Sequence, residues 1–182
     1  MPKAILLLAE GFEEIEAVTV IDVLRRAGVA VTAAALSGLH VRGAHDIVMQ
    51  ADVSLDDVEA LDFDALILPG GQPGSTNLQQ DARVLALVRR FVNSQKLTAA
   101  ICAAPTVLEA AGVLSGRRAT CYPGYELPSA RFEESAVVED GFILTSRGAG
   151  TAFEFAFALV RRLCGAPSVE TQREKLLVAS PS

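Results

Sequence analysis

Three short apolar runs mark the first half of the chain: "AILLLA" at 4–9, "VAVTAAAL" at 29–36 and "ALILPGG" at 65–71. Each is continuous rather than alternating, the pattern of a strand covered on both faces. Between the first two, Ile15, Val18, Ile21 and Leu24 recur at helical spacing until Arg25, Arg26 and Gly28 supply a stop signal. That succession is a βαβ unit. The pattern predicts a further helix at 81–95, a strand at "LTAAI", a short helix at 105–111 closed by Gly112, and a longer helix at 151–163. "SAVVEDGFILTS" predicts a hairpin turning at Asp140 and Gly141, and residues 38–62 predict a short strand around Asp46 to Met49 within an excursion. The last few residues read as a frayed tail.

Alternating strands and helices over 1–182 predict one domain, an open α/β sandwich with a mostly parallel sheet. Ligands are then expected at the carboxyl ends of the strands. The chain has 182 residues, 51% hydrophobic and 21% charged, with aromatics at 5% and no Trp, so its core must be built from Ala, Val, Leu and Ile. A net charge of -6 argues against stable nucleic-acid binding. Cys102, Cys121 and Cys164 are odd in number and lack framework spacing, which points to a reducing compartment rather than a disulfide scaffold. The apolar run in "MPKAILLLAEGFEE" is too short for a membrane span and lacks a signal-peptide cleavage region, so a cytoplasmic location is the expectation.

Within this frame Cys102 stands out, because "LTAAICAAPTVL" places it where a buried strand turns into a helix. The first helical amides would stabilise a thiolate there and lower its pKa; a small buried hydrophobe is the plainer reading of the same residue. Glu16 shares a helical stripe with Val20 and Val23, so it points along an apolar face, where a carboxyl tends to keep its proton. Beside a thiol it would serve as general acid or base; alone, it is a satisfied polar group at a packing edge. Gly70 and Gly71 in "LPGGQPG" would allow backbone to approach a substrate oxygen, as an oxyanion hole requires, although most such pairs are only turns. "SRGAGTAFEF", with Gly148, would lay another helix start beside the site or form a plain turn with Thr151 near the cap. His40 and His45 fall in an expected loop with no Cys/His metal spacing, so no metal site is expected.

"EGFEEIEAV", "VLRRAGVAVT", "LILPGG", "AAICAAPTVL" and "ILTSRGAGTAFEFA", in this order and spacing, resemble the ThiJ/PfpI superfamily, in the branch of the Parkinsonism-associated deglycase and its bacterial YajL-like relatives. The resemblance runs from about residue 3 to 175. It implies a flavodoxin-like homodimer with a nucleophile-elbow cysteine matched by Cys102, and a buried acid matched by Glu16. Gly71 and Ala103 match positions whose amides face the pocket. It also implies a cofactor-independent glyoxalase or deglycase-like stress enzyme acting on methylglyoxal-type dicarbonyls, or on their early adducts with amines or thiols. The alternative it implies is a redox-sensing stress protein or chaperone whose cysteine becomes a sulfinate. Three positions depart from the pattern. Tyr122 stands where enzymatic relatives carry a His near the pocket, Ala103 stands where peptidase-like members carry a His, and His45 replaces an Arg that reaches across the dimer.

Overall fold

The computed structural model describes residues 1–58 and 62–179. The chain opens with β1 (Lys3–Leu8), α1 (Glu14–Arg26) and β2 (Ala30–Ala35), then makes a small antiparallel hairpin of β3 (His40–Arg42) and β4 (Val48–Gln50) before β5 (Val53–Ser54). β6 (Ala65–Leu68), α2 (Gly74–Gln80), α3 (Ala82–Asn93), β7 (Leu97–Ile101) and α4 (Pro105–Ala110) follow. The remainder holds the short strands β8 (Arg118–Ala119) and β9 (Arg131–Phe132), the hairpin of β10 (Val137–Asp140) and β11 (Ile143–Ser146), and the helices α5 (Ala152–Cys164) and α6 (Ala166–Leu176).

The main sheet has the order β10-β11-β7-β6-β1-β2-β5, and only β10 runs antiparallel. Strand order reverses between β1 and β6: successive parallel strands go one way from β1 and the other way from β6. The loops leaving these two strands therefore diverge, which opens a crevice at their carboxyl ends.

Alternation along each strand divides the core into two. Ala4, Leu6 and Leu8 of β1, Ala65 and Ile67 of β6, and Leu97, Ala99 and Ile101 of β7 face α1 and α5. Ile5, Leu7, Leu66, Leu68 and Ala100 face α3 and α4, where Val84, Val88, Phe91, Val107 and Leu108 close the other layer. This is the doubly wound, flavodoxin-like α/β arrangement expected. Each fully buried Leu or Ile in these strands contributes about 1.5–3 kcal/mol from burial, which is why the runs read as continuously apolar.

Several details differ from the sequence pattern. The buried residues of α1 are Glu14, Glu16, Ala17, Val20, Ile21, Val23 and Leu24, while Ile15 and Val18 are 57% and 47% exposed. Gly28 at φ 83° follows the end of α1 as the stop signal indicates. The 81–95 helix begins at Ala82 with Asp81 as cap, its carboxylate accepting from the Arg83 N–H at 2.8 Å, and α2 precedes it in a stretch for which the pattern predicts no element. The second hairpin pairs Asp140 with Ile143, so its turn residues are Gly141 and Phe142, one position later than expected. His40 lies in a strand rather than a loop, and Asp46 sits in the turn before β4. α6 carries almost no periodic signal because only Val169 and Gln172 are buried. The expected tail partly falls on 180–182, and the excursion partly on 59–61, outside the described residues.

Candidate active site

The strand-order reversal places three loops together: the one after β1 leading into α1, the one after β6, and the turn after β7. Cys102 occupies the last of these with φ 64°, a left-handed conformation that an L-residue adopts only when its surroundings hold it there. Two backbone bonds do so. The Cys102 N–H donates to the Ser146 carbonyl at 2.9 Å, and the Tyr122 N–H donates to the Cys102 carbonyl at 2.8 Å. The sharp turn lifts the half-buried thiol off the sheet's carboxyl edge.

Glu16 comes to this turn from the first turn of α1 and is fully buried. The Gly70 N–H donates to its Oε2 at 2.7 Å, while Oε1 accepts no conventional hydrogen bond. The Cys102 thiol is the side chain whose hydrogen bonding acts on the Glu16 carboxyl. Burial raises this carboxyl to about 7, against the opposing pull of the Gly70 amide and the thiol, and the Glu13 charge adds to the rise.

The thiol is not activated in the way the strand-to-helix junction suggests. Burial first, and then the charge of Glu16 and its hydrogen bond, push Cys102 up to about 12, although the Gly71 and Ala103 amides pull it back. The reason is local. α4 starts only at Pro105, which has no N–H, and is six residues long, so few helical amides compete with desolvation and a neighbouring carboxylate. After burial, the ionised form of Glu16 adds to the rise, so the two groups in effect compete over a proton.

Gly70 is required by space. A Cβ on it would lie 2.5 Å from the Cys102 Cβ and 2.8 Å from the Glu16 Oε2. Its N–H is committed to Glu16 rather than free for a substrate oxygen; the amides that bear on the sulfur belong to Gly71 and Ala103. Gly71, at φ 87°, packs where a Cβ would meet the Glu13 nitrogen at 2.4 Å.

His45 lies at the surface on the β3–β4 turn. Its Nδ1 is 3.1 Å from the Glu14 Oε2 and 3.6 Å from the Glu13 Oε2, and its N–H donates to the Glu14 Oε1 at 2.8 Å. The Glu14 hydrogen bond and the charges of both acids raise the imidazole's pKa. Burial pushes the Glu14 carboxyl up, but its hydrogen bonds, including those from the His45 and Ile47 amides and the imidazole, outweigh burial and hold it below the usual range. Among the described residues, Glu13, Glu14 and His45 are a trio whose ligating atoms lie within 4.8 Å of one another. Glu14 already accepts three hydrogen bonds there, so the trio serves to fasten the turn onto α1.

Tyr122 is half exposed, and its ring lies against Gly148, where a Cβ would stand 3.2 Å from the Tyr122 Cδ2. Sequence reasoning passed over Tyr125 and Gln72. The Tyr125 ring meets Tyr122 edge-on at 6.5 Å, and its hydroxyl accepts from the Gln72 Nε2 at 2.9 Å. Gln72 directly follows the glycine pair, and the aromatic spacing in "CYPGY" was the available signal. Thr151 caps by bonding Gly148: its Oγ1 accepts the Gly148 N–H at 3.2 Å and donates to the Gly148 carbonyl at 2.9 Å. Cys121 is buried directly before Tyr122, its Sγ donating to the Tyr125 carbonyl at 3.3 Å, and Cys164 lies at the end of α5; burial raises both thiols. A cavity of about 710 Å³ between β10, α5 and α6 contains none of these groups.

The fold and this turn define a class: doubly wound α/β proteins with a cysteine on a strained strand-to-helix turn beside a buried glutamate. The chain belongs to the DJ-1/PfpI family, whose sequence profile matches residues 2–162. It is 41% identical to "Protein dj-1beta" of Drosophila melanogaster over 182 residues, covering 97% of each chain. It is 37% identical to "Glutathione-independent glyoxalase DJR-1.2" of Caenorhabditis elegans over 184 aligned positions, covering 96% of this chain and 95% of that one. Among solved structures, Drosophila melanogaster DJ-1beta superposes with a TM-score of 0.94 at 42% identity, covering 98% of this chain and 99% of that one. Oxidized Toxoplasma gondii DJ-1 superposes with a TM-score of 0.93 at 33% identity, covering 99% of this chain and all of the other.

Proposed function

We propose that the chain is a cofactor-independent and glutathione-independent glyoxalase that converts methylglyoxal-type 2-oxoaldehydes, free or as early amine or thiol adducts, into 2-hydroxy acids. The observation that carries this reading is Glu16, buried and pinned by the Gly70 N–H beside the Cys102 thiol. The glyoxalase named among the relatives supports the substrate class.

The chemistry needs no external oxidant. Ionised Glu16 takes the thiol proton as sulfur adds to the aldehyde carbon, and the new alkoxide is protonated to a hemithioacetal. The developing oxyanion lies toward the Gly71 and Ala103 amides. Glu16 then removes the proton on that carbon and returns it to the adjacent carbon through an enediol, leaving a thioester. Water cleaves the carbon–sulfur bond, restoring the thiol and releasing lactate. One carbon is oxidised and its neighbour reduced, so methylglyoxal and water balance lactate and a proton. With Glu16 at about 7, activity of the free enzyme is expected to rise with pH through that value.

The test is lactate formation from methylglyoxal without glutathione in the parent, Cys102→Ser and Glu16→Gln. Loss of lactate in both variants supports the reading; parent activity no greater than theirs overturns it. A second reading, a redox-responsive stress protein, is favoured by the same raised carboxyl, because protonated Glu16 would donate a hydrogen bond to a Cys102 sulfinate. We further propose a homodimer. Ile15 and Val18 on α1 and Ile47 and Val48 near β4 are large apolar side chains left exposed, and the Ile47 N–H donates to Glu14 at 3.3 Å, which brings the two elements together.

A further inference from the structure

We infer that Tyr122, braced by Tyr125 and Gln72, forms an aromatic wall beside Cys102 that favours 2-oxoaldehydes carrying an aromatic group over methylglyoxal. The inference rests on the glyoxalase reading and deepens it by naming a substrate class.

The placement follows from the backbone. Cys102 is bonded through its carbonyl to Tyr122 and through its N–H to Ser146. The residues after Ser146 and the residue Tyr122 therefore flank the elbow on two sides, and between them lies an open groove of about 280 Å³ lined by Tyr122, Pro123 and residues 147–151. Gly148 leaves room for the ring to lie along this groove, since a Cβ there would crowd it at 3.2 Å.

The ring is also held in place. Tyr125 packs against it edge to face at an interplanar angle of 70°, and the Tyr125 hydroxyl is tied to Gln72 on the loop that carries Gly70 and Gly71. Gln72 is itself fixed, its Oε1 accepting from the Thr76 hydroxyl at 2.8 Å. Two loops that shape the site are thus joined through the tyrosines. Yet 49% of Tyr122 remains exposed. A ring fixed in advance, open on one side and carried by the residue whose N–H bonds the Cys102 carbonyl, offers a stacking surface with little ordering left to lose. Methylglyoxal carries only a methyl group and cannot use that surface; phenylglyoxal can, and the same rearrangement with water gives mandelate.

The experiment has a binding arm and a turnover arm. In the first, mandelate and lactate are titrated as protectants of Cys102 against iodoacetamide, read by mass spectrometry, in the parent, Tyr122→Ala and Tyr122→Phe. Half-protection by mandelate is expected at a concentration about five- to tenfold lower than by lactate in the parent. The preference is expected to shrink to about twofold or less in Tyr122→Ala and to persist in Tyr122→Phe. Equal protection by the two acids in the parent, or a preference intact in Tyr122→Ala, overturns the wall. Loss in Tyr122→Phe as well also overturns it, by assigning the effect to the hydroxyl. Tyr122→Leu, which keeps bulk without a π-face, gives the same readout should truncation unfold the loop. In the second arm, the ratio of kcat/KM for phenylglyoxal over methylglyoxal is expected to fall about five- to tenfold in Tyr122→Ala. Absence of acid from either aldehyde would refute the glyoxalase reading, while the protection arm still decides the wall.

Discussion

Glu16→Gln tests the electrostatics of the site through stability, without reference to any substrate. The carboxyl titrates at about 7 in the folded protein against an ordinary value of 4.5. Its folded pKa is raised, so between these values the folded state binds more protons than the unfolded state. The associated stability is fully present below about 4.5 and is lost as pH rises through about 7. Complete ionisation costs about 3 kcal/mol, of which about 2.5 kcal/mol falls between pH 5 and pH 8. Glu16 is fully buried, so solvent screening does not reduce this. Gln keeps an oxygen for the Gly70 N–H and cannot ionise. The comparison is made with Cys102→Ser in both proteins, so that the thiol does not titrate, and at one protein concentration because self-association would contribute. Urea unfolding followed by circular dichroism is expected to show the Gln protein gaining on the Glu protein by about 2.5 kcal/mol from pH 5 to pH 8. A gap that stays flat with pH, or that shrinks as pH rises, would refute the assignment of a raised carboxyl.

Three other outcomes are expected. Gly70→Ala places a Cβ 2.5 Å from that of Cys102 and 2.8 Å from the Glu16 carboxylate, so it should lose lactate formation and about 1–3 kcal/mol of stability; wild-type values in both assays would contradict the packing argument. His45→Ala removes an imidazole whose pKa is raised by Glu14, so its stabilisation is present below the ordinary 6.5 and fades as pH rises through the higher folded value. The variant should unfold at lower urea than the parent at pH 5.5 and match it by pH 9, whereas an equal deficit at both would point to lost backbone contacts instead. Val18→Glu on the exposed apolar stripe of α1 should shift sedimentation from dimer to monomer, and an unchanged coefficient would move the proposed interface elsewhere.

The strands of the sheet were legible because both faces of β1, β6 and β7 are buried, leaving nothing polar to break the apolar runs. α1 was legible as a helix, and the Glu16, Val20 and Val23 stripe was legible as a buried face, but the stripe through Ile15 and Val18 was not legible as an exposed one. Periodicity cannot distinguish an apolar stripe that meets the core from one left open, and Ile15 and Val18 belong to the second kind. α6 escaped because a polar helix resting on another by two residues has no stripe to read. At the site, Cys102 and Glu16 could each be singled out, since a thiol at a strand end and an acid on an apolar stripe both break local rules. Their mutual effect could not. The expectation of a lowered thiol pKa followed from counting helical amides, whereas the thiol's environment is set by burial and by a carboxylate 86 positions earlier in the chain. The Gly70 N–H was likewise assigned to substrate because no local pattern reveals that Glu16 takes it.

That long-range pairing makes turnover and oxidation respond oppositely to one substitution. Ionised Glu16 is the base that the glyoxalase route needs, yet its charge is also what holds the proton on Cys102, after burial itself. Peroxide oxidation needs the thiolate: sulfur displaces hydroxide from hydrogen peroxide as the S–O bond forms and the O–O bond breaks. Glu16→Gln removes the charge while leaving the Gly71 and Ala103 amides in place to favour the anion. The variant should therefore lose lactate formation and, at pH 8, form Cys102 sulfenate and sulfinate faster than the parent, as followed by mass spectrometry under limiting peroxide. Slower oxidation in the variant would mean that Glu16 activates the thiol toward peroxide rather than restraining it, and the electrostatic argument for the pair would fail. Faster oxidation with lactate formation intact would remove Glu16 from the catalytic route and leave it as a governor of the thiol's redox state alone.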